Sequence, residues 1–105
     1  MVLEKGLLKS CGIQGHAGAG PRGADIVCAA VSVLARTVNR VLSARNGITV
    51  KGEFPERGEF RVEILGVSPE SREFLAGAGA FLREGLCSVA EEYPEFCIVN
   101  IEENK

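Results

Sequence analysis

A glycine-rich run at positions 15–23 separates two different periodicities in this chain. Before it, Leu7, Cys11 and Ile13 alternate with Leu8, Ser10 and Gly12, the period of a strand over residues 7–14. After it, Val27, Val31, Leu34, Val38 and Val41 recur at helical spacing, with Ala30 and Leu42 beside them. The intervening glycines, alanines and proline disfavour both regular states, so residues 17–24 read as loop. Asp25 is the expected N-cap of a helix over residues 25–45, with Arg36, Arg40 and Arg45 suiting its C-terminal half and Asn46-Gly47 its stop. The only histidine, His16, then ends the strand. Cys28 follows twelve positions later and falls in the helix's expected first turn.

The remaining chain supplies a hairpin, a second helix and a last strand. Ile48, Val50 and Phe54 form one arm, and Pro55-Glu56-Arg57-Gly58 reads as the turn. Phe60, Val62 and Ile64 alternate with Glu59, Arg61 and Glu63 on the other arm, a half-buried antiparallel strand. Ser68 as N-cap, Pro69 and Glu70 open a helix over residues 68–92. Its apolar stripe is Leu75, Ala78, Leu82, Leu86 and Val89, flanked by Phe74 and Phe81. Gly77, Gly79 and Gly85 each cost about 1 kcal/mol against alanine, so this helix needs close tertiary packing. Residues 96–101 read as a mostly buried strand and 102–105 as a solvated tail. Near the start, Lys5-Gly6 turns a short stub, Val2-Leu3, onto the main strand. The expected fold is α+β: a largely antiparallel sheet with two helices, in the order strand(s)-helix-strand-strand-helix-strand, as one domain over residues 1–105.

Several function classes are disfavoured. A net charge of −2 offers no basic field for direct nucleic-acid binding. No stretch reads as the ~20 apolar residues of a membrane span, and the N-terminus lacks a signal-peptide core, so a cytoplasmic location is expected. The four cysteines include no Cys-x-x-Cys pair, and one histidine cannot complete a metal array, so neither metal nor cofactor is expected. In a reducing compartment Cys11, Cys87 and Cys97 read as small buried hydrophobes. Gly18, Gly20 and Gly23 fit a dinucleotide pattern. The chain is short for that fold, a hairpin follows, and Glu53 lies about 30 positions on against the usual ~20.

The chemistry that fits the central stretch is thiol catalysis. A helix N-terminus stabilises a thiolate, and an imidazole can take the thiol proton and return it to a leaving amine. Backbone N–H groups at the helix start, that of Cys28 included, could hold an oxyanion. Gly15, Gly18, Gly20 and Gly23 would let a peptide backbone approach a loop that moves. Taken alone, Cys28 and His16 are each more ordinary as packing residues, Asp25 as a cap, and Ser32 as a hydroxyl bonded back to its helix.

Gly15-His16-Ala17-Gly18, followed by Gly23-Ala24-Asp25-Ile26-Val27-Cys28-Ala29-Ala30-Val31-Ser32, closely resembles the ribosomal-processing cysteine protease family Prp, also called YsxB-like. The loop departs in reading Ala19-Gly20-Pro21-Arg22, without the tyrosine often found there. The resemblance implies Cys28 as nucleophile and His16 as general base, with Asp25 and Ser32 at further motif positions. It implies an endopeptidase that removes the N-terminal extension of a large-subunit ribosomal protein. It also implies a homodimer and a loop that substrate orders. The alternative is a non-catalytic, peptide-binding ribosome-assembly module.

Overall fold

The computed structural model describes residues 1–13, 22–55 and 59–105. The elements are β1 (Val2–Glu4), β2 (Leu7–Ile13), α1 (Arg22–Ser43), β3 (Ile48–Glu53), β4 (Phe60–Val67), a 3-10 turn (Pro69–Ser71), α2 (Arg72–Glu92) and β5 (Glu102–Asn104). The strands form one sheet in the order β3-β4-β2-β1-β5. Three neighbouring pairs are antiparallel and only β1–β5 is parallel. The α+β expectation therefore holds.

Lys5 and Gly6 both carry positive φ, 52° and 80°, which closes the tight β1–β2 hairpin expected there. On β4, Phe60, Val62 and Ile64 are buried, as the alternation required. Phe54 and Phe60 stack across the mouth of the β3–β4 hairpin with ring centroids 6.1 Å apart. Of its expected turn, residues 56–58 lie outside the described residues.

Both helices pack on the sheet and on each other, α1 over β3 and β4, α2 over β2. The buried stripe of α1 is Val27, Val31, Ala35, Val38 and Leu42. The expected Val41 is instead exposed, because Leu42 takes the inward position one residue on. On α2, Leu75, Leu82 and Leu86 are buried while Phe81 faces outward. The glycines of α2 have a packing reason. A Cβ at Gly79 would lie 3.2 Å from Leu8 Cβ, and one at Gly85 would lie 2.9 Å from Leu34 Cδ2. Each fully buried leucine or valine contributes about 1.5–3 kcal/mol of transfer free energy.

Four expectations need correction. Helix α1 starts at Arg22, so residues 22–24 are helix and not loop, and it ends at Ser43. Ser68 precedes the 3-10 turn but its side chain makes no capping bond. Ser68 Oγ instead donates to Ser71 Oγ, and Ser71 Oγ donates to the Asn46 carbonyl at 3.1 Å. Residues 96–101 are not a strand, and the last strand is the acidic segment expected to be a tail. Main-chain bonds decide this. The Glu102 N–H donates to the Met1 carbonyl, the Lys5 N–H to the Asn104 carbonyl, and the N-terminal ammonium to the Asn100 carbonyl, all within 2.8–2.9 Å. Finally, Asp25–Ser43 is long and apolar enough to cross a membrane by length and composition. Its inward stripe packs in the protein core, which accounts for part of that apolarity, while Ile26, Val33 and Val41 of the same segment are exposed.

Candidate active site

Helix α1 positions the candidate nucleophile. With Arg22 as its first residue, Asp25 completes the first turn and Cys28 lies six residues in, about 9 Å up the axis. This overturns two expectations. Asp25 is not the N-cap, but a carboxylate within the first turn, where it complements the positive end of the helix dipole. Cys28 is not in the first turn either. In a regular α-helix its N–H points at the carbonyl of residue 24, so it is not an open oxyanion donor. The open N–H groups belong to the first four residues, and the dipole's influence fades beyond them. The physical reason is that arginine and alanine are good helix formers and carry the helix back through residues 22–24.

Cys28 and Ser32 share one buried face of α1, at 8% and 6% exposure. The sequence expectation that they follow one another by a turn is met. Gly23 falls in the first turn of α1 and so is not part of a loop. Gly15, His16, Gly18 and Gly20 lie outside the described residues, as does the expected facing of the His16 ring and the Cys28 sulfur.

The other thiols differ in setting. No disulfide joins any of the four cysteines. Cys11 and Cys97 are buried as expected, whereas Cys87 is only half-buried. Burial pushes the Cys11 thiol above the ordinary range, with the N-terminal ammonium pulling the other way. Burial, and then the neighbouring Cys87, push Cys97 up as well. Among the described residues no group of three or more metal-binding side chains comes together.

One feature near Cys28 was not legible beforehand. Val31, one turn along α1, lines a pocket of about 60 Å³ with Cys11, Phe60, Leu86 and Cys97. These come from five separate stretches of chain, and no local pattern marks them as neighbours. The pocket could take an aliphatic group, being well under the ~150 Å³ that holds benzene.

The model of the cysteine protease Prp family matches residues 1–98, a span that includes positions 16 and 28. The chain belongs to the Prp cysteine protease family. A Prp protease is therefore built here on a sheet whose last strand, β5, lies beyond the matched region. The protein SMU.848 from Streptococcus mutans is 30% identical, with a TM-score of 0.81 over 98% of this chain and 90% of that one. A structure of the essential ribosomal processing protease Prp from S. aureus with a substrate peptide is 19% identical, with a TM-score of 0.72 over 98% and 92%. Another, with a covalently linked product peptide, is 20% identical, with a TM-score of 0.56 over 98% and 96%. At that identity the two S. aureus structures support the Prp fold. No curated protein matches the chain.

Proposed function

We propose that this Prp-family chain is a cytoplasmic cysteine endopeptidase of one domain, which removes the N-terminal extension of a large-subunit ribosomal protein. Cys28 attacks the scissile carbonyl, and His16 takes the thiol proton and returns it to the leaving amine. The thioester so formed is hydrolysed by water with His16 again as base. No metal or cofactor enters these steps. The observation that carries the reading is the family match across residues 1–98, which spans both members of the dyad. The S. aureus relative described with a substrate peptide, and again with a covalently linked product peptide, supports a peptide as substrate.

The burial of Cys28 shapes the mechanism. A thiol at 8% exposure must be uncovered before it meets a peptide carbonyl. Substrate binding would supply that step, consistent with catalytic contacts that tighten only in the complex. Asp25 and Ser32 act as positioning residues at the start of α1 and beneath Cys28. The working unit is a homodimer, supported by the apolar side chains Ile26 and Val33 on the outer face of α1.

The deciding experiment incubates the protein with a synthetic peptide copying the ribosomal extension and its junction. The expected result is one cut at the junction by wild type and none by Cys28→Ala. Binding without cleavage by wild type would favour the peptide-binding assembly module instead.

A further inference from the structure

Two thiols outside the proposed dyad lie together where the chain leaves α2. Cys87 is half-buried on α2 and Cys97 is buried at 8% exposure. Three observations bring the segment carrying Cys97 back against α2 near Cys87. Beyond Glu92 the N–H groups of Phe96 and Cys97 both donate to the Tyr93 carbonyl at 3.0 Å, which turns the chain back on itself. Cys97 then lines the same pocket as Leu86, the residue preceding Cys87. Farther along, Glu103 pairs with Arg83 at 3.8 Å. Arg83 and Cys87 are spaced i, i+4 and so share one face of α2. The returning segment thus runs along the helix face that carries Cys87.

We propose that Cys87 and Cys97 form a reversible disulfide site, closed by a low-molecular-weight disulfide of the glutathione class. It stands apart from the peptidase reading, since neither thiol belongs to the dyad. Cys87, the more accessible, attacks one sulfur of the glutathione disulfide and releases one glutathione as its thiolate. Cys97 then attacks the Cys87 sulfur of the mixed disulfide and expels the second glutathione. The two protein thiols are oxidised, the glutathione disulfide is reduced, and the two thiol protons end on the glutathiones. The raised proton affinity of the buried Cys97 fits a resolving thiol better than an attacking one. The closed bond ties the residues after α2 to the helix, and with them the wall of the pocket that Val31 also lines.

The test treats the folded protein with oxidised glutathione and digests it with trypsin without reduction. No lysine or arginine lies between Arg83 and Lys105, so both cysteines fall in one peptide. That peptide is expected to be lighter by two hydrogens, and its fragments after cleavage at Glu92 and Glu95 to stay joined. The oxidised protein is expected to melt at least about 5 °C higher than the reduced one, a rise that Cys87→Ser removes. A glutathione retained on Cys87 while Cys97 stays a thiol overturns the proposal. So does linkage of either thiol to Cys11, or a melting point lowered by oxidation.

Discussion

Cys28 and Ser32 stand one turn apart on the same buried face of α1, with Val27 and Val31 as buried neighbours. The proposed nucleophile, so placed, is shielded until something moves. Iodoacetamide should therefore label Cys28 slowly in the resting protein and at least about tenfold faster once a non-cleavable substrate peptide is bound. Mass spectrometry of the Cys28 peptide over time checks this. Equal rates with and without peptide would remove the need for substrate-driven uncovering.

Cys28→Ala should abolish cleavage while costing about 1 kcal/mol of stability, the loss of one small buried group. Turnover with the ribosomal-extension peptide and a denaturant melt are the two measurements. Residual cleavage above a few per cent of wild type would assign the nucleophile elsewhere. Cys28→Ser should also be inactive, because a hydroxyl is far less ionised than a thiol at neutral pH.

The glycines of α2 allow a matched comparison. Gly77 has nothing within 4 Å of an added Cβ, whereas Gly79 would meet Leu8 Cβ at 3.2 Å. Both substitutions to alanine gain the same helix propensity, about 1 kcal/mol. Gly77→Ala should raise the melting temperature by a few degrees. Gly79→Ala should fail to do so, because the gain is offset by pushing α2 away from β2. Equal stabilisation by both would mean that α2 is not held to the sheet at Gly79.

Much of this architecture was legible because side-chain burial determined it. The alternation Phe60, Val62, Ile64 and the stripe Leu75, Leu82, Leu86 each record one face turned to the core. What escaped was determined by the main chain. Glu102, Glu103 and Asn104 show no apolar alternation and are exposed, yet they form β5 through backbone bonds to β1. The start of α1 escaped for a related reason, since a glycine at position 23 weighs against helix locally but the elongating helix absorbs it. For the candidate site, Cys28 stood out through its motif, and its burial follows from sharing a face with Val31 and Ala35. The pocket lined by Cys11, Phe60 and Cys97 was not legible, because only the tertiary fold brings those positions together.

Alkaline pH should weaken the fold through its buried thiols. The folded state holds the Cys11 and Cys97 protons more tightly than the unfolded chain does. Their contribution is complete below the unfolded thiol value, about 8.5, and is lost as pH rises through the higher folded values. Stability measured from pH 7 to pH 10 should therefore fall, and Cys11→Ala should flatten part of that slope. Lysine and tyrosine titration is common to both proteins, so the difference between the curves isolates the thiol. Parallel curves would mean that the Cys11 thiol ionises alike in the folded and unfolded chain.

The outer face of α1 gives the last prediction. Ile26 and Val33 are spaced i, i+7 and are 45% and 56% exposed, so they lie on one line along the helix, opposite its buried stripe. Ala30 and Thr37 fall between and beyond them on the same line, and Val41, also exposed, lies at its edge. Such a line of small and branched apolar groups lets two copies of α1 approach closely without burying charge. Arg36 flanks the apolar part of this line, and Arg40, seven residues beyond Val33, ends it, so both would remain at a solvated rim. Light scattering at micromolar concentration should give twice the chain mass for wild type. Val33→Glu should give the chain mass, because two glutamates would face each other across the two-fold axis in an apolar seam. The variant should keep its melting cooperativity, since Val33 contributes nothing to the core cluster. A monomeric wild type sinks the prediction. A dimeric Val33→Glu would place the contact on another surface, for which exposed Leu65 and Ile98 are the next positions to substitute.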